Sequence, residues 1–325
     1  MTTFVQFPHP GGEHCPESDD MPWNTGAHGR KFLISDGRYV DAANRAGQGE
    51  LVFWGEWEPP SRVERRWSRD GQLPLVLHRP YWVRGVGKNT DPWVFGDRML
   101  YSNCRQVVRA GRRPTSMQTL SPGSVICFGS TLDHEFCVDT VFVVAEAERW
   151  TAAGSADLDE AFTTCTAEQL AAGTDAHTPF TLYRAATIEN PVHGMYSFVP
   201  ASPADGEGPR FARPVLRMPG LINPANWRNT GGSKRPLEVA KVQEAWNTIR
   251  KQVFGAGLVL ATHLRTPVRS ANAPAPASTA GKRVGCGDVQ PVTCAGTVTP
   301  TQEVRPRERC SDVGAPLPST VGRLT

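Results

Sequence analysis

The sequence lacks several features that would place it in a well-defined class. It contains no apolar run long enough to span a membrane. Its first ten residues, MTTFVQFPHP, have neither the basic region nor the apolar region of a secretory signal peptide. The eight cysteines occur without CxxC spacing, so we expect reduced thiols rather than a disulfide framework. These absences predict a cytoplasmic protein that has no membrane partner.

Signatures of common enzyme classes are missing as well. The sequence has no GxSxG, no P-loop, no GxGxxG after a predicted strand and no kinase motif. No cofactor is predicted. These absences favour a binding protein over an enzyme, without eliminating the enzyme.

Aromatic residues are absent from residues 267–325, a stretch rich in Ala, Pro, Ser, Thr and Gly. Such a segment cannot bury enough apolar surface to offset the entropy of ordering it, so we predict a disordered tail. The preceding chain is long enough for a substantial core. We expect a β-rich domain at 1–150 and an α+β subdomain at 151–266 packed on it.

The pattern of the remaining chain favours strands. We predict strands at 3–7, 30–35, 49–57 and 258–264, and a hairpin at 122–147 entered through a Pro-Gly turn. These segments predict an α+β fold: a mostly antiparallel curled sheet or small β-barrel, with a few helices.

The clearest helix is predicted near the C-terminal end of this region. Ser233 is a candidate N-cap and Pro236 would lie in the first turn. Helical spacing predicts one buried face made of Val239, Val242, Trp246, Ile249 and Val253.

Positive charge is concentrated in one part of the chain. The net charge is +3, but residues 62–113 hold twelve Lys/Arg and only four Asp/Glu. Aromatic residues, among them Tyr81, Trp82 and Trp93, alternate with these cations. Cations neutralise phosphates and rings stack on bases, so the stretch favours nucleotide or nucleic-acid binding on one positive face. The alternative is a twisted sheet whose arginines cover buried rings.

Residues 89–106, NTDPWVFGDRMLYSNCRQ, concentrate side chains that can read the edge of a base. The candidates are Asn89, Asp91, Asp97, Arg98, Tyr101 and Asn103. The same residue types also organise turns, so a structured loop is the alternative.

The segment FPHPGGEHCPESDDMPWNTGAHGRKF, residues 7–32, is predicted to be a long loop and so is a functional candidate. Gly11 and Gly12 would let the backbone approach a ligand closely. His9 and His14 are weak metal-ligand candidates, but their spacing matches no recognised zinc pattern, and we predict no metal. Other ligand-binding candidates of this loop are His14, Trp23, Asn24, Arg30 and Lys31.

Catalysis, if present, needs carboxylates or imidazoles that exchange protons. The candidates are Asp91 and Asp97 from the polar stretch and His134 and Glu135 from the hairpin tip, STLDHEFCVD. The tip of a hairpin usually faces solvent, which favours a structural interpretation for the last two.

The strand LVFWGEWEPPS places two indoles beside two carboxylates. Side chains alternate along a strand, so Trp54 and Glu56 share one face and Trp57 points to the other. We expect one indole to be core and the other, beside a carboxylate, to meet a ligand.

LSPGSVICFGS and the following FCVDTVFVV resemble the strand pair of PUA-like barrels, the superfamily that includes ASCH and EVE-type domains. Nucleotide-modification-associated domains, found beside DNA-modifying and phage-defence genes, are another possible relation. The resemblance covers residues 49–147. It implies a pocket for a flipped or modified base or a nucleotide, walled by Trp54 and Trp57. Trp82 and Trp93 are further wall candidates from composition.

The sequence therefore predicts a module or sensor that binds a nucleotide or modified nucleic acid, and the resemblance implies a role in DNA modification or phage defence. A hydrolase or transferase acting on nucleotides or nucleic acid is the first alternative. A protein-interaction module with a basic face is the second.

Overall fold

The computed structural model describes residues 1–9, 30–66, 74, 76–85, 89–108, 113–132, 134–154, 158–173, 176–204, 211–226 and 234–271. Strands dominate these ranges and helices are few. The predicted class is therefore confirmed: α+β, with mostly antiparallel strands that include a small barrel. Residues 272–325, most of the predicted tail, lie outside the described residues.

The described elements follow one another as short strands with two helical regions. The strands are β1 (Thr2–Pro8), β2 (Lys31–Val40), β3 (Ala46–Gly55), β4 (Ser61–Arg66), β5 (Val76–Trp82), β6 (Leu100–Tyr101), β7 (Val107–Val108), β8 (Arg113–Pro114), β9 (Val125–Leu132), β10 (Glu135–Trp150), β11 (Phe180–Ala185), β12 (Val199–Pro203), β13 (Lys234–Leu237), β14 (Val259–Leu264) and β15 (Val268–Arg269). The helices are α1 (Glu160–Phe162), which runs through a π-helical turn (Thr163–Ala167) into α2 (Glu168–Gly173), and α3 (Val239–Gly255). No helix in the described part of the chain is long and apolar enough to cross a membrane.

Four antiparallel strands close into the barrel. β2 and β3 pair from Lys31 opposite Gly55 to Val40 opposite Ala46. β12 pairs with both β3 and β14, and β14 pairs back onto β2, which closes the ring of backbone hydrogen bonds. Closure leaves no unpaired edge within the ring. Segments on both sides of residue 150 thus build one barrel, and the predicted subdomain shares it with the preceding chain.

A second sheet has the strand order β13-β1-β9-β10-β11-β6. β1 and β9 are parallel, whereas the other neighbours are antiparallel. The predicted hairpin is confirmed as β9 and β10. Its register shifts between Val138, opposite Gly129, and Thr140, opposite Phe128, so Asp139 is the extra residue of a β-bulge. A bulge redirects a side chain out of the regular alternation, which matters for the site described below.

Four of the five residues predicted for the apolar face of α3 are buried, whereas Val239 is only partly buried, and the predicted start of the helix is wrong. Val242, Trp246, Ile249 and Val253 are buried at the expected helical spacing. The helix begins at Val239, because the preceding residues form β13 and pair with β1. β13 is at the edge of its sheet, where a proline is tolerated.

Two apolar clusters use opposite faces of β3. Leu51 and Phe53 belong to the cluster that also contains Trp57, whereas Val52 and Trp54 belong to the cluster covered by α3. Trp54 and Trp57 therefore point to opposite faces, as the alternation of strand residues predicts.

The ordered chain continues past the predicted end of the folded region. Val268 and Arg269 pair in parallel with β5, and the Ser270 N–H donates to the Trp82 carbonyl at 2.9 Å. The guanidinium of Arg269 lies 5.5 Å from the centroid of the Trp82 ring. These five residues, 267–271, thus cover an indole of the folded part.

Gly129 allows the close approach of β9 and β10 at the bulge. A Cβ atom there would lie 2.1 Å from the Cys137 carbonyl oxygen. We expect Gly129→Ala to lower the free energy of unfolding by about 1–3 kcal/mol or more, because the backbone of β10 at Cys137 would have to move. Gly55→Ala is the matched strand control, since its Cβ would meet only ordinary contacts at 3.6–3.8 Å. Urea unfolding of both variants tests this, and equal losses would contradict it.

Candidate functional site

Two buried arginine–carboxylate pairs lie beside β2, β3 and β10 and influence each other electrostatically. Arg30 precedes β2 and pairs with Glu56, which follows β3. Arg213 pairs with Asp139 of the bulge in β10. His9, which follows β1, also contacts Glu56. We call these five residues the ionic cluster; all are buried.

The first pair is shared with an imidazole. The Arg30 Nη1 atom contacts a Glu56 carboxylate oxygen, and His9 Nδ1 lies 3.1 Å from that oxygen. Burial opposes the positive charge of Arg30, but Glu56, Glu58 and Asp139 together raise its pKa above the ordinary value. Because Asp139 acts on Arg30 as well as on Arg213, the two pairs form one electrostatic unit.

The second pair is fixed by the bulge and by a strand-like segment around Arg213. The Val138 N–H donates to the Pro214 carbonyl at 3.0 Å, which holds that segment against β10. Arg213 Nη2 donates to Asp139 Oδ1 at 2.7 Å and also to the Ser130 hydroxyl. Burial raises the pKa of Asp139, while Arg213 and Arg30 act to lower it.

Trp54 lies directly beneath this pair. The Arg213 guanidinium carbon is 4.4 Å from the centroid of the Trp54 ring, a cation–π contact. Phe32 meets the same indole edge-on, with centroids 4.6 Å apart. The indole is therefore held between an arginine and a phenyl ring.

Two buried N–H donors at this contact have no acceptor among the described residues: Trp54 Nε1 and Arg213 Nε. Their side chains are 3% and 7% exposed. Buried donors are normally paired, and an exception needs an explanation. Three other buried indoles follow the norm, since those of Trp57, Trp150 and Trp246 donate to carbonyls at 2.8, 3.0 and 2.9 Å. Trp54 Nε1 is thus the exception among these four indoles, whereas a buried Nε without an acceptor also occurs at Arg250 beside Trp246.

A buried lysine lies next to the cluster along the chain. Lys31 Nζ donates to the Trp57 carbonyl at 2.8 Å. Burial lowers the pKa of Lys31 to about 7, although Glu58 acts to raise it. Lys31 therefore changes charge near neutral pH, unlike an exposed lysine.

The structure places the four candidate indoles in the interior. Trp54, Trp57, Trp82 and Trp93 are all buried in apolar clusters. Buried rings do not present open faces to a base, so the expected stacking walls do not occur at these positions. Of these four, Trp54 is the one with a recorded contact to the ionic cluster among the described residues, through the ring face that the Arg213 guanidinium covers.

The polar stretch 89–106 is a structured loop in which polar groups satisfy one another. Asp91 accepts hydrogen bonds from the N–H groups of Ser102, Asn103 and Cys104 at 2.8, 2.9 and 2.6 Å. Burial raises the pKa of Asp91 to about 7, against these bonds, which lower it. Asn89 and Asn103 exchange side-chain hydrogen bonds at 2.8 and 3.1 Å. The turn-forming alternative fits these contacts better than the reading of a base edge.

Three more candidates of this stretch also have structural partners or are exposed. The Tyr101 hydroxyl donates to the Cys104 carbonyl at 2.7 Å. Arg98 pairs with Glu146 at 2.8 Å. Asp97 has a fully exposed side chain, 3.9 Å from His263 Nδ1.

The four catalytic candidates are not brought together. Asp91 anchors the loop just described and Asp97 is exposed. His134 is exposed at the hairpin tip, and Glu135 pairs with Arg217 at 2.8 Å. Among the described residues, no contact links these four groups, so they form no shared reaction centre.

The remaining loop candidates divide between described and undescribed positions. His14, Trp23 and Asn24 lie outside the described residues. Arg30 belongs to the ionic cluster and Lys31 adjoins it. Within the described ranges, no group of three or more His, Cys, Asp or Glu side chains could hold a metal ion. His9 contacts Arg30 and Glu56 instead.

The predicted positive face is divided by ion pairs. Arg79 pairs with Glu50 at 2.6 Å as well as with Glu64. Arg84 and Arg98 likewise pair with Glu160 and Glu146. Glu50, Glu146 and Glu160 come from outside residues 62–113, so acids from other segments compensate part of the local excess of cations.

Sequence reasoning missed Arg213 as a site residue. Its only signal is a single arginine within the apolar segment FARPVL, where a buried charge would need a carboxylate. The sequence pattern singles out Glu56 as a carboxylate beside Trp54, but it gives neither Glu56 nor Asp139 a partner, because both arginines are distant in sequence.

Comparison of the chain with protein-family models, with curated proteins and with solved structures found no match. The interpretation of the site therefore depends on its own geometry and chemistry. The PUA-like resemblance stays an expectation from the sequence.

Because the Trp54 N–H has no acceptor among the described residues, we expect Trp54→Phe to lower the free energy of unfolding less than the same change at Trp246 does. Trp246 is the matched control, because it is equally buried and carries Arg250 at 4.8 Å, but its N–H is paired. Trp246→Phe should lower the free energy of unfolding by about 1–3 kcal/mol more than Trp54→Phe, because it leaves the Tyr196 carbonyl unpaired. Urea unfolding measures both. An equal or larger loss in Trp54→Phe would show that its N–H is satisfied in the folded protein.

Lys31 predicts a pH dependence of stability. The folded protein releases this proton near pH 7, whereas the ordinary lysine pKa is 10.5. Between about pH 7 and the ordinary lysine pKa of 10.5 the unfolded state therefore binds more protons, and the free energy of unfolding should rise with pH across this window. Lys31→Met should lose this rise, while Lys251→Met, at an exposed position of α3, should keep it. Urea unfolding across this range decides, and an unchanged slope in Lys31→Met would contradict the assignment.

Proposed function

We propose that the chain is a binding module for a nucleotide or a modified nucleic acid, and that the ionic cluster with Trp54 is where it contacts the ligand. The observation that carries this proposal is the pair of buried donors, Trp54 Nε1 and Arg213 Nε, that lack acceptors among the described residues. A ligand oxygen or ring nitrogen supplies the missing acceptor. Nucleobases carry such acceptors, for example N7 and O6 of guanine and O4 of thymine.

The surroundings of the two donors suit a ligand that needs both donors and acceptors. Asp139 and Glu56 place carboxylate oxygens in the same cluster as Arg213 and Arg30. Arginine and carboxylate side chains are the groups that proteins use to distinguish bases. The PUA-like resemblance implies a pocket for a base or a nucleotide beside Trp54 and Trp57, of which only Trp54, on the opposite face from Trp57, belongs to the proposed contact.

Binding is favoured over catalysis by the positions of the candidate acids and bases. Asp91, Asp97, His134 and Glu135 have separate surroundings, and Asp91 is occupied by backbone N–H groups. The ionic cluster itself consists of paired charges, an arrangement that orients a ligand rather than transfers its protons.

Thermal shift and calorimetry with nucleosides, nucleotides and oligonucleotides bearing unmodified and modified bases test the proposal. We expect at least one class to raise the melting temperature of the wild-type protein, since a ligand at 100 times its Kd adds about 2.7 kcal/mol. Trp54→Phe should weaken that binding about 5-fold or more, because one hydrogen bond is lost. Trp246→Phe should bind like the wild type. A flat response across the whole panel, or equal binding by Trp54→Phe, would refute the proposal.

A further inference from the structure

We infer that the group bound at the ionic cluster is uncharged, and that a phosphate on the same ligand lies outside this site. This inference rests on the proposed function and specifies which part of a nucleotide the site holds. It corrects the simplest expectation from composition, in which cations gather to neutralise a phosphate.

Both arginines of the cluster are already neutralised. Arg213 has Asp139 at 2.7 Å, and Arg30 contacts Glu56. The two carboxylates also influence the opposite pairs, because Arg30 acts on Asp139 and Asp139 acts on Arg30. Among the described residues of the cluster, two arginines therefore face two carboxylates, and a buried phosphate would meet as much negative as positive charge from them.

The lysine next to Arg30 adds little positive charge at neutral pH. Lys31 has a pKa of about 7 and therefore carries only part of a charge there. The carboxylate of Glu58 acts on Lys31 as well as on Arg30.

Because the cluster is buried, its charge balance determines whether a charged group can bind there. A charge taken out of water without a compensating partner is strongly disfavoured, whereas a neutral carbonyl that gains hydrogen bonds is not. Trp54 Nε1 and Arg213 Nε can each donate to a carbonyl oxygen without disturbing the Arg213–Asp139 pair. The donor pair therefore fits the carbonyl or ring nitrogen of a base.

Calorimetry with matched ligands tests the inference. The probes are the nucleosides adenosine, guanosine, cytidine and uridine with one modified nucleoside of each, their 5′-monophosphates, and inorganic phosphate. We expect each nucleoside that binds to do so within about 3-fold of its monophosphate, with little loss at higher salt. Inorganic phosphate should not bind.

Asp139→Asn adds a gain-of-function arm, because it leaves the Arg213 charge without its carboxylate. We expect this variant to prefer the monophosphate over the nucleoside by about 10-fold, a preference that salt weakens. If Asp139→Asn does not fold, Glu56→Gln tests the same point at Arg30.

The outcomes separate the inference from the proposed function. A wild-type preference for monophosphates of about 10-fold or more, or binding of inorganic phosphate, would overturn the inference and leave nucleotide binding intact. Equal binding of nucleosides and monophosphates that Asp139→Asn shifts toward monophosphates would support both. Absence of binding by every nucleoside, nucleotide and oligonucleotide would overturn both.

Discussion

A guanidinium removed from water needs a carboxylate beside it, and this requirement ties the two sheets together. His9 and Glu56 join the end of β1 to the end of β3, and Arg213 joins β10 to Trp54 of the barrel. Removing one partner of such a pair typically costs about 3–5 kcal/mol, because the other charge stays buried. Replacing a whole buried pair by well-packed apolar residues is often neutral or stabilising, so packing alone does not require these charges.

The local sequence pattern is sufficient to predict the strand and helix faces whose determining residues are close together in the sequence. The alternation in LVFWGEW placed Trp54 and Trp57 on opposite faces, and helical spacing identified the buried face of α3. The same reasoning misplaced the start of α3, because pairing of β13 with β1 joins residues more than 230 positions apart. Closure of the barrel by β12 and β14 is likewise a long-range event without a local signal.

The site was harder to predict than the fold, because its residues meet only in three dimensions. Arg213 and Asp139 are 74 positions apart, and a bulge determines the orientation of Asp139. The stretch 89–106 shows the opposite error. Its amides and carboxylates are the types that read bases, but Asp91 and Asn103 satisfy the loop that contains them. Composition cannot distinguish a polar group that is available to bind a ligand from one that already has a hydrogen-bond partner within the protein.

Charge composition misled for the same physical reason. Twelve cations in residues 62–113 suggested a positive surface, but Arg79 and Arg98 pair with acids that arrive from other segments of the fold. What a ligand meets is therefore the charge left after pairing rather than the charge written in the sequence. At the ionic cluster the charges of each arginine–carboxylate pair offset each other, while Trp54 and Arg213 still offer N–H groups. Under the proposed function, a site with hydrogen-bond donors but little net charge would discriminate by the pattern of its partner's acceptors and so favour an uncharged base over a phosphate.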